Sequence, residues 1–406
     1  MSAADDGRPS ALWVYLELGG DTVLAGKLYP HLRRGSLSST FNYDLAYLTN
    51  PSAYALDPEL PLAAGSQPVT SPLPRSFLDA SPDRWGRNLI RKRVQHESRQ
   101  GHQPLRTLDE RDFLLSVADV SRQGALRFAL REGGAFQHPG QEVPKLVSIP
   151  ELLAASVAVA NDAPDNQTAI KRLLDAGSAS LGGARPKASV MDGRRLLLAK
   201  FPHPNDEWDV IRCEATALDL AQQAGLSVPR HRLIEINAQA VLLLDRFDRA
   251  DARIGYQSAM TLLRLNDGDV ADYLDVADQL ALASSAPTDD LASLFRHVAF
   301  VYAINSTDDH LRNLGLLRTG AGWRLAPSFD LNPSPSSQHM TSVSGQSTLS
   351  DGLAALRECA EAFDLTKATA DRVLTTVRQV VAQWPSLAAK NGVPPGQIEY
   401  LAQFMA

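Results

Sequence analysis

Three polar residues have side chains that could perform chemistry together: Asp308, Asn313 and Asp330. A carboxylate can receive the proton of a substrate hydroxyl group. Carboxylate and amide oxygens are also the hard ligands that Mg²⁺ prefers when it bridges phosphate groups. These residue types are therefore the ones needed to transfer a phosphoryl group to a hydroxyl, provided that the fold brings them together.

The sequence between Asn313 and Asp330 predicts a β-hairpin that would bring them together. Residues 314–318 and 323–326 alternate as two strands around a turn. With the turn centred near Ala321, Asn313 lies opposite about Ser328, and Asp330 emerges beside it. Asp308 is one loop away.

The spacing of Asp308 and Asn313 has an ordinary and a functional interpretation. Asp and Asn gather in turns because their side chains bond nearby backbone groups, and this explains the spacing alone. The same D-x-x-x-x-N spacing occurs in the catalytic loop of protein kinases. The hairpin and the second acid at its far end favour a phosphotransfer site.

Composition narrows the class of protein. At 406 residues, with 44% hydrophobic and 21% charged residues, the chain should form two or three globular domains. Its net charge of −6 gives no electrostatic reason to expect nucleic acid as the main ligand. Cys213 and Cys359 lie too far apart in sequence to indicate a zinc site or a disulfide framework. No signal peptide or membrane-spanning run is evident, so we expect a cytoplasmic protein without membrane contact.

The N-terminal third predicts strands and a basic helix. Residues 13–18, 23–29 and 41–48 read as strands. Ser81 and Pro82 should cap and begin a helix through residue 94. Its basic residues could face an acidic partner, although a solvated helix face is the more usual explanation. These residues are Arg84, Arg87, Arg91, Lys92 and Arg93.

The rest of the chain changes from mixed to helical. Helices are predicted from Pro150 and at 168–176, followed by the strands 188–191 and 195–201. A helix at 211–225 and a polar link then lead to a strand at 241–247. Beyond residue 248 the pattern is helical, except for the hairpin and a Ser-rich stretch at 333–351 that we expect to be a mobile loop.

A Gly-rich loop and a lysine could hold phosphate groups. Gly182 and Gly183 would let backbone N–H groups approach an anion, although a flexible turn explains them equally well. The segment has neither the P-loop nor the dinucleotide-binding motif. Lys200 ends an apolar strand, where it either reaches out to solvent or serves as a phosphate-binding cation. Glu214, on the next helix, is a possible ion-pair partner, and a half-exposed Glu214 is the alternative. Residues 244–249 stand where a hinge would offer backbone groups to adenine.

Four segments resemble the signature segments of the HipA family of bacterial toxin kinases: residues 180–188, 244–249, 307–313 and 326–330. Residues 41–43, 60–62, 81–87 and 124–126 resemble the N-terminal region of the same family. The resemblance implies an α/β, protein-kinase-like two-lobed fold with an all-helical C-terminal lobe. The domains would be a β-rich N-terminal subdomain (1–140), a nucleotide-binding lobe (141–248) and a helical lobe (249–406).

The resemblance also implies a function. It predicts ATP- and Mg²⁺-dependent phosphorylation of serine or threonine in a protein such as an aminoacyl-tRNA synthetase. It predicts a HipB-like DNA-binding antitoxin as partner, with DNA bound only through that partner. It further implies self-inactivation by phosphorylation of Ser180, with Ser178 as a possible second site. Asp309 stands where some members have a small residue, and this places an extra charge beside Asp308.

The predicted site combines these assignments. Asp308 is the expected base, with His310 as a second catalytic residue, and Asn313 and Asp330 are the expected Mg²⁺ ligands. The expected ATP-binding residues are Ser180, Leu181, Gly182, Gly183, Ala184, Lys187, Lys200, Glu214, Asp245, Arg246 and Phe247. Two alternatives remain: a kinase for a small molecule or lipid headgroup, and a non-catalytic module that binds nucleotide or antitoxin. The joint presence of Lys200, Asp308, Asn313 and Asp330 argues against the second.

Overall fold

The computed structural model describes residues 8–102, 104–163, 166–178, 183 and 185–406. Four residues of the predicted phosphate loop lie outside this part of the chain: Ser180, Leu181, Gly182 and Ala184. The described residues form an α/β fold of two lobes preceded by a β-rich N-terminal region, as the sequence predicts.

An antiparallel sheet forms the N-terminal region. Its strands are β1 (Leu12–Leu18), β2 (Asp21–Arg33), β3 (Ser36–Tyr43), β4 (Gln67–Pro68) and β5 (Leu126–Ala129), in the order β4-β3-β2-β1-β5. Leu12, Val14 and Leu16 alternate with more exposed neighbours, so one face of β1 is buried. Gly26 is required where β2 meets β3, because a Cβ atom there would lie 2.2 Å from the carbonyl oxygen of Asn42.

The predicted strand at 41–48 is only half correct. It ends at Tyr43, and Leu45–Leu48 forms a short helix, α1. The side chain of Asp44 accepts a hydrogen bond from the amide of Ala46 and so caps this helix. The cap turns the chain before the apolar alternation has ended.

Three further helices belong to the N-terminal region: α2 (Arg75–Asp79), α3 (Arg84–Gln100) and α4 (Glu110–Leu115). The N-cap of α3 is Asp83 rather than Ser81, since Asp83 Oδ1 accepts from the amide of Gly86 at 2.7 Å. Trp85, Leu89 and Ile90 pack in one core with the sheet of the predicted nucleotide-binding lobe. The two regions on either side of the predicted boundary at residue 140 therefore share a core.

The predicted nucleotide-binding lobe has an antiparallel sheet in the order β6-β7-β9-β8. Its elements are α5 (Ile149–Ala160), α6 (Gln167–Asp175), β6 (Lys187–Asp192), β7 (Arg195–Lys200), α7 (Val210–Gln223), β8 (His231–Ile236) and β9 (Gln239–Asp245). The predicted polar link between α7 and β9 is wrong, because it contains β8. This strand lies at the sheet edge, and its apolar residues Leu233, Ile234 and Ile236 are only partly buried.

The C-terminal lobe is helical around a small sheet. Its strands are β10 (Tyr256–Ser258), β11 (Gly315–Thr319) and β12 (Gly322–Leu325). Its helices are α8 (Ala259–Leu262), α9 (Tyr273–Ala283), α10 (Pro287–Ala303), α11 (Leu349–Glu358), α12 (Lys367–Val381), α13 (Trp384–Lys390) and α14 (Pro395–Ala402). The predicted hairpin is β11–β12, and β10 adds a third strand to it. Among the described residues, no helix has the length and apolar character needed to cross a membrane.

Candidate functional site

A cleft of about 1050 Å³ runs between the N-terminal region, the predicted nucleotide-binding lobe and the C-terminal lobe. Its walls contain both residues predicted to bind phosphate and residues predicted to perform chemistry. The predicted site residues in its walls are Gly183, Lys187, Lys200, Asp308, His310, Asn313 and Asp330.

The hairpin brings Asn313 and Asp330 into this cleft. Leu316 pairs with Leu325 and Thr319 with Gly322. The amide of Ala326 also donates to the carbonyl of Gly315 at 2.8 Å. This register places position 313 opposite position 328, so the predicted pairing is confirmed.

Asp330 is an ionised carboxylate beside a lysine. Its backbone is left-handed, with φ of 58°. Its Oδ1 accepts from Lys200 Nζ at 2.6 Å and from Asn332 Nδ2 at 3.3 Å. Burial alone would raise the pKa of the Asp330 carboxyl, but Lys200, Lys187 and His310 hold that pKa at about 2. The group therefore carries its negative charge throughout the physiological range.

Lys200 and Glu214 form the predicted ion pair. Lys200 Nζ lies 2.5 Å from Glu214 Oε1, and both side chains are buried. Burial opposes the charge on Lys200, but the carboxylates of Asp330 and Glu214 raise the pKa of its ammonium group above the ordinary value. Since Glu214 lies behind Lys200, it fixes the direction in which the ammonium group points.

A second lysine lies directly across the strand pair. Lys187 pairs with Lys200 in the β6–β7 ladder. Lys187 Nζ donates to Asp83 Oδ2 at 2.5 Å and to the carbonyl of Gly183 at 2.8 Å. Two like charges opposite each other destabilise a sheet unless anions lie between them. Here Asp83 supplies the anion for Lys187, and Glu214 and Asp330 supply it for Lys200. Phosphate oxygens at these two ammonium groups would share them with the carboxylates.

Asp308 faces the cleft with its side chain exposed. The carbonyl of Asp308, rather than its carboxylate, accepts a hydrogen bond from Asn313 Nδ2 at 2.9 Å. Partial burial raises the pKa of the Asp308 carboxyl above its ordinary value, and His310 opposes that shift. A carboxylate with a raised pKa that projects into the cleft is suited to accept a proton.

The bond from Asn313 Nδ2 also bears on a metal site. It turns the amide nitrogen toward the backbone and leaves the amide oxygen for another partner. Asp330 Oδ1 is bonded to Lys200, which leaves Oδ2 available. Among the described residues no cluster of three or more His, Cys, Asp or Glu side chains could hold a metal ion. One amide oxygen and one carboxylate oxygen suit Mg²⁺, which usually takes its other ligands from phosphate and water.

The Asp309 side chain is bonded within the C-terminal lobe, whereas that of its neighbour Asp308 projects into the cleft. Asp309 is buried, and its Oδ1 accepts from the amides of Met340 and Thr341 at 2.8 and 3.2 Å. Its Oδ2 accepts from the hydroxyl of Tyr273 at 3.2 Å. The extra charge next to the proposed base therefore points into the C-terminal lobe and holds the Ser-rich stretch in place.

The Ser-rich stretch is correspondingly well packed. The His339 ring stacks on Tyr302 with centroids 3.8 Å apart, and Val343 is fully buried. The expectation of a mobile loop over 333–351 overlooks these contacts, which join residues far apart in sequence. The same range also contains the start of α11.

Asp309→Ala should lower the free energy of unfolding by about 3 kcal/mol, because the buried amide of Thr341 and the buried hydroxyl of Tyr273 lose their acceptor. The amide of Met340 keeps a second acceptor, the carbonyl of Thr307 at 3.1 Å. Urea denaturation would measure this loss. The matched control is Asp278→Ala, which removes an exposed carboxylate from α9. Equal stability of the two variants would contradict the structural role of Asp309.

Residues of the predicted hinge form hydrogen bonds with other parts of the protein. The amide of Asp245 donates to the carbonyl of Arg230, and that of Arg246 to the carbonyl of Leu196. The Arg246 side chain is buried against Asp248, with Nη2 2.6 Å from Oδ2. The amides of Asp245 and Arg246 and the Arg246 side chain are thus not free to bind adenine. Of the predicted hinge contacts, only carbonyl groups and the Phe247 side chain remain. The Phe247 ring packs against Phe329, with centroids 5.4 Å apart.

Ser178, the second predicted phosphorylation site, lies in a buried turn at the end of α6. The amide of Ser178 donates to Leu173 and that of Gly177 to Leu174, the two bonds of a Schellman motif that ends α6. The Ser178 hydroxyl donates to the carbonyl of Lys187, and the residue is fully buried. Its hydroxyl is therefore out of reach of a phosphoryl donor in this conformation. Ser180 lies outside the described residues.

Sequence reasoning missed Asp83 and Asp79. Asp83 reaches the phosphate side of the cleft from the N-terminus of α3. Asp79 accepts from the amide and the hydroxyl of Ser258 at 2.7 and 2.8 Å, and so binds the N-terminal region to the C-terminal lobe. Asp83, directly after Pro82, is a residue type that favours an N-cap, so its capping role could have been predicted. Its ion pair with Lys187 could not, because no local pattern connects the two residues.

Comparison with known proteins agrees with this architecture. The family model described as HipA-like C-terminal domain matches residues 179–384. The chain is similar to HipA of a Shewanella oneidensis MR-1 toxin–antitoxin system, solved with HipB and operator DNA. That match has 14% identity, a TM-score of 0.65, and covers 97% of this chain and 94% of the other. Its extent shows that the described chain has the HipA-like fold.

A weaker likeness is found to the Helicobacter pylori proinflammatory kinase CtkA. It has 14% identity and a TM-score of 0.36, and covers 52% of this chain and 93% of that chain. No curated protein matches the sequence.

Proposed function

The chain belongs to the family that has the HipA-like C-terminal domain, and from this premise we propose that it is an ATP- and Mg²⁺-dependent serine/threonine protein kinase of the HipA toxin type. One observation carries the proposal. A single cleft brings Asp308, Asn313 and Asp330 together with the Lys200–Glu214 ion pair. A proton acceptor, metal ligands and a held cation are the parts that phosphoryl transfer from ATP requires.

Each of these residues has a distinct task in the proposed reaction. Lys187 and Lys200 bind phosphate oxygens, and Glu214 keeps Lys200 aimed at them. Asn313 Oδ1 and Asp330 Oδ2 would hold Mg²⁺, which neutralises charge on the triphosphate when bound. Asp308 accepts the hydroxyl proton as the acceptor oxygen bonds to the γ-phosphorus. The bond from that phosphorus to the β–γ bridging oxygen breaks, and ADP leaves with its electron pair.

The partners follow from the same premise. The similar Shewanella structure contains HipA with HipB and operator DNA, and we extend this to a HipB-like antitoxin that would bring the present chain to DNA indirectly. The protein acceptor would be a cytoplasmic protein such as an aminoacyl-tRNA synthetase. The family resemblance supports both assignments.

Incubation with Mg²⁺ and ATP, followed by phosphosite mapping, tests the function. We expect phosphate on Ser180 and none on Ser178, whose hydroxyl is buried. A phosphoserine carries close to two negative charges and would compete with ATP for Lys187 and Lys200. Ser180→Asp should therefore weaken ATP binding by about tenfold or more, measured by calorimetry, whereas Ser180→Ala should bind normally.

Two controls sharpen this experiment. Ser293→Asp places the same charge on an exposed position of α10 and should leave ATP affinity unchanged. Omission of Mg²⁺ should abolish transfer. Absence of phosphate transfer to any protein, together with absence of ATP consumption, would overturn the kinase proposal. Full ATP affinity in Ser180→Asp would overturn only the regulatory part.

A further inference from the structure

The outer wall of the cleft is one face of α3. Arg84, Arg87 and Arg91 follow one another at intervals of three and four residues, which places them on the same side of a helix. All three line the cleft that contains Asp308 and Lys200. Three of the five basic residues of α3 thus border the cleft, and Arg84 and Arg91 remain open to solvent there.

Only one of the three arginines has its charge compensated. The Arg87 guanidinium binds both oxygens of Glu110 at 2.7 and 2.5 Å, and its Nε donates to the carbonyl of Pro82. Within the described part of the chain, the Arg84 side chain makes no hydrogen bond or ion pair, and it is exposed. Arg91 donates to Asn88 Oδ1 at 3.3 Å and has its guanidinium 5.2 Å from the Phe113 ring, and neither group is charged.

Of the carboxylates that line the cleft, all but Asp308 already have cations, including Asp79 with Arg312 and Asp330 with Lys200. Asp83 is paired with Lys187, Glu110 with Arg87, Asp206 with Arg185, and Asp267 with Arg312. None of these acids is left to neutralise Arg84 or Arg91. The positive charges of Arg84 and Arg91 are therefore uncompensated in the cleft that also contains Asp308.

We infer that Arg84 and Arg91 select an acidic segment of the protein acceptor, with carboxylates beside the serine or threonine that receives phosphate. The inference rests on the proposed kinase function and names its substrate class. Seven helical residues advance about 10 Å, and an extended peptide covers this distance in about three residues. Acids about three positions apart in an extended acceptor would therefore meet both arginines.

A peptide suits this wall better than a nucleic acid does. Proteins that bind nucleic acid present a continuous basic surface to the phosphates. Here the two available arginines flank the paired Arg87–Glu110, and the chain has a net charge of −6. The proposed acceptor group is also a side-chain hydroxyl, which an extended peptide carries into the cleft.

The test uses the full chain with Mg²⁺, ATP and a library of peptides with a central serine or threonine. The flanking positions are acidic, neutral or basic. We expect kcat/KM to be on the order of tenfold higher for acidic than for neutral peptides, and this preference should weaken with salt. In Arg84→Glu and Arg91→Glu the preference should vanish or reverse toward basic peptides. A variant that merely misfolds cannot acquire the opposite preference.

Arg99→Glu is the matched control, because it makes the same charge change on an exposed position of α3 outside the cleft. It should keep the acidic preference. Autophosphorylation without acidic preference, or with no peptide phosphorylated, would overturn the inference and leave the kinase function standing. Inhibition by an RNA oligomer that Arg84→Glu relieves would instead assign the wall to nucleic acid. Absence of every phosphotransfer would remove the kinase function itself and the inference with it.

Discussion

Asp330→Ala should lower Mg²⁺-dependent phosphotransfer by about a thousandfold or more. Charge stabilisation by a bound metal contributes several kcal/mol at the transition state, and each 1.4 kcal/mol corresponds to about a tenfold change in rate. The fold should survive, because Lys200 keeps its ion pair with Glu214. Turnover across a Mg²⁺ titration measures the first effect, and thermal unfolding measures the second.

Backbone strain is a competing explanation, because Asp330 has a left-handed backbone that alanine adopts poorly. Asp330→Asn removes the charge with a residue that tolerates this conformation, and it should lose activity as severely. Asp364→Ala is the matched control, since Asp364 is also left-handed, with φ of 56°. A folded Asp330→Asn protein with wild-type turnover would refute the metal-ligand assignment.

Asp308→Asn should reduce the rate of transfer by about 10²–10⁴, the usual contribution of a positioned general base. Affinity for ATP should be retained. The structural bond at this position uses the backbone carbonyl of Asp308, which accepts from Asn313, so the substitution leaves the loop intact. Single-turnover kinetics with saturating ATP would separate the chemical step from binding.

The adjacent acid supplies the contrasting result. Asp309→Asn should affect stability, since its carboxylate holds the backbone of Met340 and Thr341. It should affect the chemical step little in the molecules that remain folded. If Asp308→Asn were active and a folded Asp309→Asn protein inactive, the base would be the other residue of the pair.

The parts of the site that the sequence predicts are those governed by short-range rules. A hairpin has a fixed register once its turn is located, so Asn313 and Asp330 could be brought together from spacing alone. The Lys200–Glu214 ion pair could be expected because a lysine in an apolar strand needs an anion. The Schellman motif at Gly177 likewise follows from one glycine after a helical pattern.

The missed features depend on contacts between distant parts of the chain. Asp83 and Lys187 are 104 residues apart, and Asp309 lies 31 residues from Met340. No local pattern records such pairs, so Asp309 looked like an extra charge at the site and the Ser-rich stretch looked mobile. β8 was missed because an edge strand can be stable through its ladder alone, with little apolar alternation. The sequence showed that α3 was basic, but only the assembled lobes show what it faces.

The ion pair of Asp83 and Lys187 joins two parts of the molecule through one cation. Both side chains are almost fully buried, at 6% and 2% exposure. A phosphate that binds Lys187 must share it with Asp83 or displace the carboxylate, which belongs to the N-terminal region. Occupancy of the proposed nucleotide site and the packing of the N-terminal region against it would therefore be thermodynamically linked. The coupling is reciprocal: if bound nucleotide changes the free energy with which the N-terminal region packs, that packing changes the free energy of nucleotide binding by the same amount. An antitoxin that pulled on the N-terminal region would change ATP affinity without touching the cleft.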